Sequence, residues 1–188
     1  MKHFIYFSKS AATSGNALSQ GDLMKAGRMD IAIHSFIQAI YLSKDYRRDV
    51  IFHFVFYGPP SPPRHIEIQV TDELEISKKD IGNLIKKILY KYRERKTESF
   101  TNSSASGQIK EKKQEVLPGC FIEKKSLLDV VENLKINGNQ IFLLDESGLD
   151  IRKAKISKNC VFVLGDHEGF PLKELKRLKQ IATEISIG

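Results

Sequence analysis

Short apolar runs rich in aromatic and β-branched residues alternate along this chain with segments whose apolar residues repeat at helical spacing. "KHFIYFS" (2–8) and "DVIFHFVFYGPP" (49–60) have the composition of strands, the second stopped by Gly58 and prolines. "HIEIQV" (65–70) alternates and predicts a short strand. Met29, Ile33, Phe36, Ile37 and Ile40 predict an amphipathic helix from Arg28 to about Ser43. Ile81, Leu84, Ile85, Ile88, Leu89 and Tyr92 predict a second, over about 78–95. After "CFI" a helix over about 125–135 carries Leu127, Leu128, Val131 and Leu134. The strands "QIFLLDESGLD" and "VFVLGDHEGFP" follow, then a helix marked by Leu172, Leu175, Leu178 and Ile181, and "EISIG" as a last strand. The expected fold is α/β, one domain over 1–188, with a mostly parallel sheet and helices on both faces.

Composition narrows the function. With 41% hydrophobic residues the chain can bury a core, yet no run approaches the length that spans a bilayer. "MKHFIYFSKS" is too short and polar for a secretory signal, so the expectation is a cytoplasmic protein with no membrane partner. Cys120 and Cys160 each abut an apolar run and read as reduced core thiols. The five histidines show no ligand spacing, and no metal is expected. A net charge of +7 favours polyanions, chiefly nucleic acid. Nine Lys/Arg against three Glu between Lys86 and Lys113 adjoin a stretch poor in apolar residues, "KTESFTNSSASGQIKEKKQEVLPG" (96–119). A mobile basic loop is expected at about 97–116.

Three strand ends fall close together: "LLDESG" (143–148), "LGDHEG" (164–169) and "ISIG" (185–188). If the strands are neighbours, their ends form one crevice whose glycine-containing turns can approach a flat heterocycle. Neither G-x-G-x-x-G after the first strand nor G-x-x-x-x-G-K-[ST] is present, which argues against a Rossmann or P-loop nucleotide site. Asp166, His167 and Glu168 permit acid–base chemistry, but no motif ties a serine or cysteine nucleophile to them. Asp166 either bonds local N–H groups of its turn or serves a ligand.

Seven stretches, in order, carry a resemblance over nearly the whole chain: "TSG" (13–15), "AGRMDI" (26–31), "LSKDYRRDV" (42–50), "YGPPSPPRHI" (57–66), "LPGCFI" (117–122), "LLDESGLDI" (143–151) and "VFVLGDHEGFP" (161–171). The chain resembles the archaeal tRNA pseudouridine N1-methyltransferases (the TrmY type) of the SPOUT superfamily. The resemblance implies a C-terminal trefoil knot, S-adenosylmethionine as cofactor, a homodimer, and methylation of N1 of pseudouridine in the T-loop of tRNA. Alternatives are an RNA-binding SPOUT-like module without activity and a pseudouridine N1-methyltransferase of ribosomal RNA. The dimer is expected to use helices flanking the cofactor crevice, including the one predicted over 28–43. Carried over, the cofactor contacts fall on Leu144, Gly165, Asp166, Ile185, Ser186, Ile187 and Gly188. In this reading Gly165 leaves room for the cofactor, and Asp166 and His167 brace the turn. Family members continue through a further helix-sized segment beyond the position of Gly188 that completes the knot, and two readings stay open: that this member has lost the segment, or that it lies outside this sequence. Where they usually carry an arginine, this chain has His34.

The implied chemistry asks for removal of the N1 proton, or stabilisation of the resulting anion, in line with the sulfonium methyl. Asp30 and Asp49 are candidate acceptors, Asp30 alternatively serving the exposed N–H groups of a helix start. Arg28, Arg47 and Arg48 are candidate substrate-binding residues, with RNA phosphate contact favoured for the last two.

Overall fold

The first apolar run becomes the spine of the sheet. In the computed structural model, which describes residues 1–43, 45–74, 77–92 and 113–188, β1 (Lys2–Ser8) lies inside an eight-stranded sheet formed among the described residues. Parallel neighbours flank it: β2 (Val50–Phe56) on one side and β7 (Cys160–Gly165) on the other, with Lys2 opposite both Val50 and Cys160. Beyond β7 lie β6 (Gln140–Asp150) and, at the edge, β8 (Thr183–Ser186), also parallel. On the far side of β2, β3 (Arg64–Gln69), β5 (Cys120–Glu123) and β4 (Gln114–Leu117) each pair antiparallel. The order is β4-β5-β3-β2-β1-β7-β6-β8.

Helices cover both faces, as the alternation requires. Along β1, Tyr6 joins the layer under α1 (Met29–Ile40) and α2 (Ile81–Lys91), while Ile5 and Phe7 join the layer under α3 (Leu127–Ile136) and α4 (Leu172–Ile181). Met29, Ala32, Phe36 and Ile40 of α1 are fully buried, and Phe36 meets Phe52 edge-on at 5.3 Å. Each such ring contributes about 2–3 kcal/mol through burial. On the other face, Val130 and Val131 of α3 and Leu178 of α4 pack with Val161 and Val163 of β7. Cys120 and Cys160 are buried free thiols, and burial pushes the Cys120 thiol up to about 12.

Helix ends differ from the periodicity because polar partners set them. The first helix stops at Ile40, where Arg47 Nη1 donates to the carbonyls of Gln38 and Ala39, both at 2.9 Å. The second begins after a 3₁₀ turn at Lys78–Asp80, which Ser77 caps. Of the loop expected at 97–116, residues 97–112 lie outside the described residues. Gln114–Leu117 form β4, a correction to that expectation. This strand escaped notice because it is an edge strand with little apolar alternation, held chiefly by pairing with β5.

A row of histidines crosses the α3/α4 face. His3 of β1, His53 of β2 and His65 of β3 join Nδ1 to Nε2 at 2.9 Å each, and His65 Nδ1 reaches Glu123 Oε1 of β5 at 2.9 Å. All four residues are buried. Ring centroids lie 5.2 Å apart at both steps, so the rings sit end to end. An ionised Glu123 only accepts, which makes His65 Nδ1 a donor, its Nε2 an acceptor, and so on to His3. One proton per ring satisfies the whole row. Glu67 adds a carboxylate oxygen near His53 and His65, all three ligand atoms lying within 4.8 Å. The ring nitrogens nevertheless face one another in pairs at 2.9 Å, an N–H of one ring against the lone pair of the next, which is the geometry of hydrogen bonds.

Candidate active site

The three turns singled out in the sequence do come together. β7, β6 and β8 are consecutive in the sheet, Leu143 lying opposite Val163 and Leu144 opposite Ile185. "DESG" is not the end of β6: the strand loses register between Leu144 and Leu149 and rejoins β8 at Ile185. Ser147 N and Oγ donate to Asp145 Oδ1, and Lys179 Nζ bridges Asp145 and Glu184 at 3.0 and 2.6 Å. These contacts hold Asp145 down to about 2, the Ser147 bonds contributing most. At Gly148 a Cβ would stand 2.5 Å from Ile185 N, so only glycine allows this approach to β8.

The turn after β7 is locked by Asp166. Its N–H bonds Phe7 O at 3.0 Å, its Oδ1 accepts from Glu168 N at 2.9 Å, and its carbonyl accepts from Gly169 N at 3.0 Å. Lys9 Nζ donates to Glu168 O at 2.9 Å, and His167 is exposed. A Cβ on Gly165 would lie 3.1 Å from Phe170 Cε2. Gly165 therefore makes room for Phe170, which stacks on Phe7 with centroids 5.4 Å apart, rather than for open crevice.

Opposite this turn stands the N-terminus of α1. Arg28 adopts a left-handed backbone (φ 57°) and forks onto Asp30, Nε to Oδ1 at 3.1 Å and Nη2 to Oδ2 at 3.0 Å. A non-glycine residue in that region stores strain and marks a position held for a purpose. The Arg28 bond keeps the Asp30 carboxyl below its ordinary range, hence ionised. Between the two elements lies Tyr6, opposite Leu164 in the sheet and 1% exposed. Burial, then the charges of Asp166 and Asp30, push its phenol upward. Tyr6 Oη and Asp166 Oδ2 are both buried without a hydrogen-bond partner among the described residues. Glu174 at the start of α4 is a half-buried acid, its carboxyl pushed upward by loss of solvent, its Oε1 accepting from Tyr57 at 2.8 Å. Tyr6 and Glu174 escaped the sequence analysis because one sits in an apolar run and the other on an amphipathic helix.

Other candidates lie elsewhere. Asp49 precedes β2 and pairs with Lys2 at 2.8 Å, at the opposite end of the strands from Gly165, about 20 Å away. Arg47 caps α1, and Arg48 is bonded to Asp72. Along the α1 side of the sheet a groove of about 730 Å³ connects these ends, its floor including Phe4, Phe162 and Leu164, with Ile31, Leu144 and Ile187 on its sides.

Comparison with known proteins agrees with this architecture. A family model described as "Putative SAM-dependent RNA methyltransferase" matches residues 1–188. The tRNA (pseudouridine(54)-N(1))-methyltransferase of Methanococcoides burtonii is 32% identical, the match covering 100% of this chain and 87% of that protein. Its counterpart in Methanocaldococcus jannaschii is 30% identical, over 100% and 88%. The crystal structure of Archaeoglobus fulgidus Nep1 bound to S-adenosylhomocysteine shares the fold, with a TM-score of 0.58 at 14% identity, over 100% of this chain and 88% of that one.

Proposed function

The chain belongs to the family of SAM-dependent RNA methyltransferases whose model spans it end to end, and on that premise we propose that it methylates N1 of pseudouridine 54 in the T-loop of tRNA, the position named for its curated relatives. The observation that carries this reading is the meeting of Leu144, Gly165 and Ile185 at one end of the sheet, facing the Arg28–Asp30 fork. S-adenosylmethionine supplies an electrophilic methyl group on a sulfonium centre. The crevice fits it: Leu144, Leu164 and Ile187 offer apolar surface to the groove, and the paired strand ends at Leu144 and Ile185 bring backbone groups beside it. Sheet order, with β8 at the edge beside β6, and the likeness to Nep1 support a C-terminal trefoil knot.

For N1 to take the methyl group, whose bond to the sulfonium sulfur would break with the electron pair left on sulfur, the base would have to give up its N1 proton. Asp30, kept anionic by Arg28, is the acceptor on the crevice side in this reading. Asp49, paired with Lys2 at the far end of β2, is not assigned that role. Arg28 answers negative charge developing on the base.

The groove beside α1 supports a homodimer, because a bare apolar floor of this kind is ordinarily covered by protein. Sedimentation is expected to give the mass of two chains, and Ile31→Asp that of one; a monomeric wild type would exclude the dimer. Arg48, on the same side, would contact RNA phosphate by exchanging Asp72 for it. Arg48→Ala is then expected to weaken tRNA binding and lower the log–log salt slope by about one, with cofactor affinity unchanged. An unchanged slope would leave Arg48 as a partner of Asp72 alone.

The proposed activity is tested by incubating the protein with labelled S-adenosylmethionine and tRNA carrying pseudouridine or uridine at position 54. Label is expected only in the pseudouridine tRNA. Cofactor binding without transfer would indicate an inactive RNA-binding module, and transfer only to ribosomal RNA would change the substrate.

A further inference from the structure

We propose that Tyr6 and Asp166 form a donor–acceptor pair that grips the imide edge of the target base and so presents N1 to the methyl group. The inference rests on the pseudouridine reading above and assigns a specificity-determining role to Tyr6, a residue that resemblance did not single out. Sheet register supplies the geometry. Tyr6 lies opposite Leu164, Phe7 lies opposite Gly165, and Asp166 N bonds Phe7 O, so the phenol and the carboxylate sit beside one another across adjacent strand ends. The Asp166 side chain is fixed by its Oδ1 bond to Glu168 N, which leaves Oδ2 as a rigid acceptor. Tyr6 Oη is a donor with no partner among the described residues, on a residue 1% exposed.

A buried donor and a buried acceptor left unmatched in one place destabilise the fold until something satisfies both. A uracil-type ring offers the complement: N3–H to donate to Asp166 and the adjacent C4 carbonyl to accept from Tyr6. Cytosine presents the reverse pattern: its N3 carries no proton for Asp166 and sets a lone pair against the carboxylate, while Tyr6 could only accept from its amino group. In pseudouridine N1 is opposite C4 across the ring, so gripping the N3–H/C4=O edge turns N1 outward. Arg28 and Asp30 are partly exposed and lie near enough for their charges to act on the same phenol, so in this inference the base would enter past them. Asp30 is thereby placed toward the N1 side.

Two experiments test the pair. Tyr6→Phe deletes one oxygen and is expected to raise KM for pseudouridine-54 tRNA about tenfold, with S-adenosylmethionine affinity by calorimetry unchanged. The wild-type protein is expected to lose at least tenfold in kcat/KM on tRNA bearing N3-methylpseudouridine, where the N–H is blocked, a result that does not depend on how any variant folds. Equal kcat/KM for Tyr6→Phe and wild type, or indifference to N3 methylation, overturns the inference and leaves the two atoms as a site for buried water. Absence of transfer by the wild type to any pseudouridine tRNA overturns the substrate reading, and the inference with it.

Discussion

Gly165→Val is expected to reduce S-adenosylmethionine affinity at least a hundredfold while tRNA binding survives. At 3.1 Å from Phe170 Cε2, even a single added carbon is tighter than ordinary contact, and valine adds two more. Phe170 cannot retreat cheaply, since it stacks on Phe7, which in turn meets Tyr57 edge-on at 4.8 Å. Overpacking of this kind costs about 1–3 kcal/mol, and here the cost is relieved by moving the Asp166–Gly169 turn. In the proposed reading that turn borders the cofactor, whereas Arg48 lies at the other end of the strands and is undisturbed. Calorimetry and filter binding read the two affinities separately. Gly165→Ala, with one carbon, should fall between. Wild-type cofactor affinity in the valine variant would remove the turn from the cofactor site.

His53→Ala is expected to destabilise the protein by about 4 kcal/mol. It removes the middle ring of the row, leaving His3 without an acceptor and His65 without a donor in the interior, and it opens a cavity. The same row makes wild-type stability fall in mild acid. Burial lowers the pKa of His3, and that of His53 much further, Lys113 and Lys125 adding to the effect while Glu67 opposes it at His3. The unfolded chain therefore takes up protons below about pH 6.5 that the folded protein refuses. The contribution is complete above that pH and declines as pH falls, by about 1.4 kcal/mol per pH unit for each histidine. Glu123 works the same way at lower pH: burial opposes its ionisation, but His65 and Lys125 outweigh it, so its share is lost in stronger acid. Urea denaturation at pH 7.5, 6.5 and 5.5 measures the slope, which should be shallower in His53→Ala. A wild-type stability constant over that range would show that the row takes up protons as readily folded as unfolded.

The elements legible in the sequence were those whose pattern is local. Met29 to Ile40 and Ile81 to Leu89 repeat at helical spacing because one face of each helix is buried against the sheet. "CVFVLG" could be assigned as a strand because continuous apolar character is what a strand covered on both faces needs. The turns "LGDHEG" and "ISIG" were recognisable as strand ends, whereas "LLDESG" proved to be an irregularity within β6 beside them, because the strand resumes its pairing with β8 at Leu149. Edge strand β4 was not legible, nor the antiparallel run of β3, β5 and β4, since an edge is held by backbone pairing that leaves little trace in side-chain pattern. His3, His53, His65 and Glu123 are unrelated in sequence spacing and lie on four different strands. Strand register alone lines them up.

For the candidate site the division is similar. Asp30 and Asp49 looked equivalent as acceptors in the sequence, both being acids beside arginines, but parallel pairing of β1 and β2 separates them by the length of a strand. Arg47 carried a charge suited to RNA, yet the end of α1 leaves carbonyls without helical partners, and its guanidinium supplies them. Tyr6 lies in a run legible only as a strand and is core, except for one oxygen atom whose surroundings are set by Asp166 and by α1, elements far from it in the chain. The sequence by itself determined which segments are helices and strands and which turns end them, because those depend on periodicity and on glycine, proline and small polar residues close by. Which side chains share a wall, a charge or a proton was decided only by the tertiary structure, because those interactions act over a few ångströms in space whatever the separation along the chain.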